Sequence, residues 1–289
     1  MKKIKLVSPA KINLTLEIVK KFPDGFHGLR SIMIKTKNLK DELEISIDER
    51  KEGIKVICSD KSIPVDEKNI CHKIARKFFE FSGRSGEITI KIKKNIPALA
   101  GLGGGSSNGA MTLLALNDYF KKPLSFKDLV KIAAEVGKDI PVFLLEEEAV
   151  YVSGKGEKLL PFKRKSQLNF LLVNPQGEIS TPWAYGELDR RMWFMENKER
   201  KNISKKMLRN FKDIDKIGSS LYNDFSLLAE ELFPAVKEIR NSLFSFGALG
   251  TSITGKGPTV VGIFKTKKET LKIREIMKKN YPNFFVEIG

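Results

Sequence analysis

A glycine-rich stretch between a predicted strand and a predicted helix constrains this chain most strongly. The stretch, PALAGLGGGSS, occupies residues 97–107, after the alternating segment ITIKI and before the segment NGAMTLLAL. These patterns predict a strand that turns directly into a helix. The first N–H groups of a helix have no partner within it, and the helix dipole adds partial positive charge there, so this turn favours a phosphate group. A flexible surface loop is the less favoured alternative, because linkers rarely lead directly into a patterned helix.

Two well-known phosphate-binding motifs do not fit this stretch. The P-loop ends in Gly-Lys followed by Ser or Thr, but no lysine lies between Pro97 and Asn117. The dinucleotide pattern G-x-G-x-x-G needs a glycine at position 106 or 108, where Ser106 and Asn108 stand. The turn therefore belongs to a different class of phosphate site.

Composition restricts the class of protein. The 289 residues, 41% of them hydrophobic, can bury one large core or two modest ones. No run approaches the roughly 18 apolar residues of a membrane helix, and the N-terminal residues lack the apolar stretch of a signal peptide. Cys58 and Cys71 match no zinc spacing. We therefore expect a reduced, cytoplasmic setting, no membrane partner and no protein-bound metal.

The net charge of +17 has two interpretations. It is typical of a protein with a polyanionic partner, either nucleic acid or a small substrate rich in phosphate. A lysine-rich bias of the whole organism is the favoured explanation, because lysine and arginine are spread along the entire chain. Charge alone does not identify a nucleic-acid-binding protein, and we expect no nucleic-acid partner.

Hydrophobic periodicity predicts strands and helices that do not alternate regularly, which favours an α+β fold over a doubly wound parallel sheet. A break is predicted in the first strand at Ser8 and Pro9. We place a domain boundary near residue 160. Strands are predicted over 3–7, 11–18, 43–47, 54–57, 87–92 and 168–173 and within 142–160, and helices over 67–81, 108–116, 125–136, 219–232, 234–246 and 267–279.

Three polar residues are candidate functional groups. Lys11 and Asn13 share one face of a predicted strand, which either lines a cleft or faces solvent. Asp139 lies between Gly137, which ends a predicted helix, and Pro141, which disfavours a new one. Its carboxylate is therefore either held in a short rigid connection or bonded to its own backbone in a turn.

Several of these segments resemble one family. The stretch 97–107 closely resembles the phosphate-binding motif of the GHMP kinases, which bind ATP without a P-loop lysine. The segment PAKINL at 9–14 is similar to their N-terminal signature, and GKDIP at 137–141 to their Gly-x-Asp-x-Pro motif. A third motif is expected near the C-terminus, where 251–260 lies, with Lys256 as a departure from the usual small residue. Only the region of about 186–218 has no recognisable counterpart in the family.

The resemblance implies an α+β, two-domain fold. The N-terminal domain, residues 1–160, is expected to have a ribosomal-protein-S5-like fold and to bind ATP. The C-terminal domain, residues 161–289, is expected to be ferredoxin-like. The segment Asn223–Phe225 also resembles a family segment, which we expect to be helical.

The resemblance also assigns roles in catalysis and ATP binding. It implies Lys11 and Asp139 as catalytic residues, with Asp139 accepting the proton of the attacking hydroxyl and Lys11 stabilising charge during the transfer. Lys94 and Asn69 match positions near the adenine, and Mg²⁺ accompanies ATP with the Ser106 hydroxyl as one contact. The residues implied in gripping the triphosphate are Pro97, Ala98, Leu99, Ala100, Gly101, Leu102, Gly103, Gly104, Gly105, Ser106 and Ser107.

The acceptor site is implied by two further segments. Where this family branch reads Gly-Tyr-His, the chain has Phe26 before His27, which keeps a ring for stacking on cytosine but loses a hydroxyl. In the segment TPWAY, beginning at Thr181, Tyr185 is expected to cover the other face of the base, with Trp183 as the alternative. Asn13 and Thr181 complete the implied acceptor site.

The function implied is phosphorylation of a hydroxyl on a cytidylylated sugar alcohol in the non-mevalonate route to isoprenoids. One alternative is another kinase of this superfamily, of the homoserine or mevalonate type. The other is a basic nucleic-acid-binding protein that has an S5-like domain without activity. We expect a monomer or weak homodimer.

Overall fold

The computed structural model describes residues 2–163, 168–191 and 202–289. Within these ranges the chain forms eleven strands and ten helices. The strands are β1 (Lys2–Lys21), β2 (His27–Asp48), β3 (Gly53–Cys58), β4 (Glu87–Lys93), β5 (Ala149–Gly154), β6 (Lys158–Phe162), β7 (Asn169–Asn174), β8 (Tyr222–Asn223), β9 (Gly250–Ile253), β10 (Val260–Phe264) and β11 (Phe285–Ile288). The helices are α1 (Ile70–Ser82), α2 (Gly104–Tyr119), α3 (Phe126–Val136), α4 (Ile140–Leu144), α5 (Thr181–Arg190), α6 (Ile203–Arg209), α7 (Ile214–Ser219), α8 (Ser226–Leu232), α9 (Pro234–Ser245) and α10 (Lys267–Asn280).

The chain divides into two compact units that are interleaved along the sequence. The first unit comprises Met1–Ala10, Leu39–Ala98 and Gly103–Glu146, and the second comprises Lys11–Asn38, Leu99–Leu102 and Glu147–Gly289. The strands β1 and β2 therefore each contribute residues to both units. The predicted domain boundary near residue 160 stays a prediction.

The first unit has one apolar core between strands and helices. Strand β4 pairs antiparallel with the second half of β2 and parallel with β3. Alternate residues of these strands point inward, so that Leu43, Ile45, Ile88 and Ile90 are buried together with side chains of α1 to α4. The predicted strands over 43–47, 54–57 and 87–92 are confirmed.

Helix ends in this unit follow from local sequence. The Asn69 side chain caps the start of α1 by accepting the Cys71 N–H at 2.8 Å, and Gly83 ends the helix in the left-handed conformation. Ser125 and Asp128 form a reciprocal capping box at the start of α3. These interactions explain why the predictions of α1 and α3 are close to the observed bounds.

The second unit contains a four-stranded antiparallel sheet in the order β11-β7-β10-β9. Along the chain these strands come in the order β7, β9, β10, β11, so the first strand, β7, pairs with the fourth and the third. Helices connect β7 to β9, and α10 connects β10 to β11. This is the order of the ferredoxin-like fold, as expected. Side chains of the sheet, α5, α8, α9 and α10 form the core of this unit.

The predicted break in the first strand is wrong. Strand β1 continues through Ser8 and Pro9 without interruption. The fixed φ of proline is compatible with extended backbone, and its missing N–H matters only where a neighbouring strand needs that donor.

Other local predictions are wrong where strand pairing with a distant segment, or the chemistry of a helix end, determines the secondary structure. Residues 142–144, at the start of the stretch predicted to contain strands, belong to α4, because Pro141 lies in the first turn, where its N–H is not needed. The helix predicted over 219–232 is split by β8, which pairs with Thr15 and Leu16 of β1. Asn223 is therefore in a strand and not in the expected helix. The helices α5, α6 and α7 and the strand β11 were not predicted. Residues 192–201, in the region without a family counterpart, lie outside the described residues.

Among the residues that the structure describes, no helix combines the length and the apolarity required to cross a bilayer.

Helix α1 offers a matched pair that tests the first core. Phe78 is fully buried against Phe120, whereas Phe81 is 39% exposed on the same helix. We predict that Phe78→Ala lowers the free energy of unfolding by about 3–5 kcal/mol, because it leaves a cavity. Phe81→Ala should cost less than about 1 kcal/mol. Urea unfolding measures both, and equal losses would contradict the packing described.

Candidate active site

The glycine-rich stretch leads directly into α2, as predicted, but the helix begins at Gly104 and not at the predicted Asn108. Gly103 is the N-cap in the left-handed conformation, with φ 69°. The first backbone bond of the helix runs from the Ser107 N–H to the Gly103 carbonyl at 2.9 Å. The N–H groups of Gly104, Gly105 and Ser106 therefore have no acceptor within the helix. This end of α2 has the geometry and the partial charge of an anion site.

Residues 99–102 belong to the second unit, where they pack on the segment that follows β9. The Thr259 hydroxyl donates to the Ala100 carbonyl at 2.6 Å, and the Thr254 hydroxyl donates to the Gly101 carbonyl at 3.3 Å. A Cβ on Gly101 would lie 2.2 Å from the Thr254 carbonyl oxygen, and its φ is +77°. Only glycine fits this close approach.

Lys11 and Asn13 are both buried, with 3% and 2% of their surface exposed. The alternative in which they face solvent is therefore wrong. The Lys11 ammonium donates to the Asn13 side-chain oxygen at 2.7 Å, and the Gly255 N–H donates to the same oxygen at 2.9 Å. The Asn13 amide nitrogen donates to Ser31 at 2.8 Å. Asn13 thus fixes the lysine ammonium relative to the third motif.

Lys256, the departure within the third motif, links that motif to α5. Its ammonium donates to the Ile179 carbonyl at 3.0 Å and also to the hydroxyl of Thr181, the first residue of α5. The Asn223 amide holds the same turn by donating to the carbonyls of Ile253 and Gly255 at 3.0 and 2.8 Å. Lys256 therefore ties the turn to the helix that carries Tyr185.

His27 and Tyr185, both predicted to contact the base of the acceptor, lie together. Their ring centroids are 4.7 Å apart at an interplanar angle of 33°. The His27 Nε2 lies 2.7 Å from an oxygen of Asp189, and the Lys21 ammonium lies 2.5 Å from the other oxygen. A carboxylate only accepts, so Nε2 carries the proton of this bond. Burial raises the pKa of Asp189, but the hydrogen bonds from Lys21 and His27 outweigh it and hold this pKa below its usual value.

Asp189 and Lys21 were not found from the sequence. A usable signal exists for the aspartate, because Tyr185 and Asp189 are four residues apart on α5 and therefore share a face. Lys21 is the last residue of β1 and carries no motif.

The other two aromatic candidates are more exposed. Phe26 is 51% exposed, with the Lys155 ammonium 5.6 Å from its ring centroid. The same ammonium pairs with Asp24, so it connects the β1–β2 turn to the β5–β6 turn. Trp183 is 41% exposed on α5.

Asp139 is the N-cap of α4 and is half-buried. Its side chain makes no capping hydrogen bond, so helix capping does not account for the carboxylate. Asn69, by contrast, has a structural role, since it caps α1 and donates to the Pro64 carbonyl at 2.7 Å. Lys94 has a buried ammonium that pairs with Asp41. Asp41 is a fully buried carboxylate that no sequence pattern singled out.

Within the described parts of the chain, no group of three or more histidine, cysteine, aspartate or glutamate side chains could hold a metal ion. Mg²⁺ in kinases is typically held by substrate phosphates and only one or two protein ligands. The half-buried Ser106 hydroxyl on the first turn of α2 fits such a limited contribution.

Comparisons with known proteins agree with these motifs. The GHMP kinases N terminal domain matches residues 69–147, and the GHMP kinases C terminal domain matches residues 203–283. The 4-diphosphocytidyl-2-C-methyl-D-erythritol kinase of Syntrophus aciditrophicus is 37% identical over 276 residues, which cover 96% of this chain and 95% of that protein. The protein of the same name from Geobacter metallireducens is 35% identical over 269 residues, or 93% of this chain and 92% of that protein.

Solved structures share the fold. A crystal structure of 4-(cytidine 5'-diphospho)-2C-methyl-D-erythritol kinase aligns with a TM-score of 0.76 and 24% identity over 99% of this chain and 98% of that one. Homoserine kinase from Cytophaga hutchinsonii aligns with a TM-score of 0.77 and 20% identity over 100% and 94% of the two chains. The predicted α+β, two-domain fold is thus confirmed. From its identity to the curated relatives over nearly its whole length, the chain belongs to the 4-diphosphocytidyl-2-C-methyl-D-erythritol kinases, a family of the GHMP kinases.

Proposed function

We propose that this chain transfers the γ-phosphoryl group of ATP to the 2-hydroxyl of 4-diphosphocytidyl-2-C-methyl-D-erythritol, in the non-mevalonate route to isoprenoid precursors. The names of its relatives support this acceptor, at 37% and 35% identity. The structural observation that carries the choice is the tilted ring pair of His27 and Tyr185, with Asp189 orienting the imidazole. A planar base such as cytosine stacks on such rings, whereas homoserine and mevalonate have no base.

The triphosphate is assigned to the beginning of α2. Its three N–H groups from Gly104 to Ser106 have no acceptor within the helix, and their dipoles point at the same place. The missing side chains at Gly104 and Gly105 let an anion approach the backbone. Asn69 is assigned to the adenine side of this site. Lys94, which the resemblance also placed near the adenine, is assigned to the phosphates instead, because its ammonium nitrogen would lie 3.0 Å from a Cβ on Gly104.

Lys11 and Asp139 are assigned to the chemical step. The Asp139 carboxylate accepts the proton of the attacking hydroxyl, and the Lys11 ammonium, fixed by Asn13, stabilises the charge on the reacting oxygens. Mg²⁺, when bound with ATP, neutralises charge on the phosphates, and Ser106 is its assigned contact. Phosphoryl transfer asks little covalent chemistry of a protein, so placement and electrostatics supply most of the acceleration.

The remaining acceptor contacts are assigned to Asn13, Phe26, and Thr181. A cytoplasmic location, a monomer or weak homodimer and the absence of a nucleic-acid partner stay predictions from the sequence.

Acceptor choice is tested by measuring ATP consumption with three alcohols. We predict turnover with 4-diphosphocytidyl-2-C-methyl-D-erythritol and only background rates with homoserine or mevalonate. Turnover of either of the latter two alone would place the chain's activity elsewhere in the superfamily. ATP-independent, steeply salt-dependent RNA binding without any turnover would favour the nucleic-acid alternative.

The role of Tyr185 is tested against Trp183, which lies on the same helix. We predict that Tyr185→Ala raises KM for the cytidylylated acceptor about tenfold, because stacking on a base is worth about 1–3 kcal/mol. Trp183→Ala should change it less than about twofold. KM for ATP should stay constant in both variants. A larger effect at Trp183 would exchange the two assignments.

The role of Asp139 is tested by Asp139→Asn, which keeps the shape and a good N-cap residue. We predict that kcat falls by about 10²–10⁴-fold, because the base is lost, while affinity for a non-hydrolysable ATP analogue stays within about twofold. Asp118→Asn, at a side chain 70% exposed on α2, is the control and should leave kcat unchanged. Turnover near the parent rate in the Asp139 variant would remove this residue from the mechanism.

A further inference from the structure

A buried carboxylate in the first unit organises the surroundings of the glycine-rich turn. Asp41 is 0% exposed, and its two oxygens accept four donors. The N–H groups of Asn95 and Ile96 bond to one oxygen at 2.8 and 2.9 Å. The Asn108 amide bonds to the other at 2.9 Å, and the Lys94 ammonium bonds to that oxygen as well. Asp41 therefore joins the end of β4 to the first turns of α2.

The same network continues to the beginning of the helix. The Asn108 amide also donates to the Ser8 hydroxyl at 3.0 Å, and Ser8 donates to the Ser107 hydroxyl at 2.7 Å. Every one of these side chains is buried. Buried hydrogen bonds of this kind have one satisfied arrangement, so they fix the position of the helix end.

Lys94 stands directly beside the turn. A Cβ placed on Gly104 would lie 3.0 Å from the Lys94 ammonium nitrogen. No lysine lies between Pro97 and Asn117, so Lys94 brings a positive charge to a turn that has none of its own. The lysine side chain is only 6% exposed, and its direction is set by Asp41.

Stability alone is a weak reason for such a pair. Removing two charges from water carries a large cost, and well-packed apolar residues of similar volume often stabilise a core at least as well. The Asp41–Lys94 pair also holds two backbone N–H groups and the side-chain amide of Asn108. It is better explained by the geometry that it imposes on these groups.

We propose that Asp41 is a positioning residue for ATP, which holds the Lys94 ammonium and the first turn of α2 in the arrangement that receives the phosphates. This inference rests on the proposed function for the identity of the ligand. Asp41 does not touch ATP in this account; it acts through Lys94 and Asn108.

The test measures binding of a non-hydrolysable ATP analogue by calorimetry, without acceptor. Asp41→Asn keeps the volume but presents an amide nitrogen to donors. We expect affinity for the analogue to fall about tenfold, which is the scale of one charge-assisted hydrogen bond. KM for ATP should rise in parallel, while KM for the acceptor stays constant. An unchanged analogue affinity in the folded variant would overturn the proposal.

A double-mutant cycle separates positioning from independent effects. Lys94→Met removes the ammonium, and we expect a similar loss of about tenfold. The double variant should lose no more than the larger single loss, because Lys94 contributes only where Asp41 holds it. Losses that multiply to about a hundredfold would overturn the proposal. Should Asp41→Asn fail to fold, unchanged affinity in Lys94→Met alone overturns it.

Two controls remove the remaining explanations. Glu135→Gln breaks the Lys77–Glu135 pair, 2.6 Å long, in the same unit and should leave analogue affinity unchanged. Phe78→Ala destabilises this unit without touching the network and should also bind normally while folded. Equal weakening by Phe78→Ala would reduce Asp41 to a general stabilising role and overturn the proposal. Analogue binding without turnover of the acceptor would refute the proposed function and leave this inference intact.

Discussion

Buried hydrogen bonds from polar side chains hold the glycine-rich stretch from both of its ends. In the first unit, Asp41, Asn108 and Ser8 fix the residues that begin α2. In the second unit, the hydroxyls of Thr254 and Thr259 hold residues 99–102 by donating to the carbonyls of Gly101 and Ala100. Glycine has no Cβ to restrict its backbone, so it loses more conformational entropy on folding than any other residue. The surrounding side chains therefore supply the order that the stretch lacks.

Under the proposed assignment of ATP to this turn, the arrangement explains how a kinase manages without a lysine within the turn itself. Backbone N–H groups and the helix dipole supply the attraction for an anion, and they need no reorganisation when it arrives. The charged side chains come from strands instead: Lys11 from β1, held by Asn13, and Lys94 from the end of β4, held by Asp41. Each ammonium is buried with a partner that sets its direction. A long, flexible lysine side chain thereby acquires a defined position, which is what phosphoryl transfer demands.

The sequence predicted those features that depend on local chemistry. The turn into α2, the capping box at Ser125 and the alternating strands are determined by residues within a few positions of one another, so their patterns were readable. The first turn of α2 was missed, because the glycines that form it have no apolar periodicity. Asp41 and Asp189 were missed because their partners are distant along the chain, Asn108 and Lys94 for one and His27 for the other. The exposure of Lys11 was undecidable from alternation, since both faces of β1 are buried there. Pro141 misled because its effect depends on whether it lies inside a helix or in the first turn.

The proposed function depends on phosphate binding by the amides at the beginning of α2. A crystal structure with a non-hydrolysable ATP analogue and Mg²⁺ would locate the phosphates. We expect phosphate oxygens within hydrogen-bond distance of the N–H groups of Gly104, Gly105 and Ser106. An analogue bound elsewhere, with no phosphate at these three amides, would contradict it.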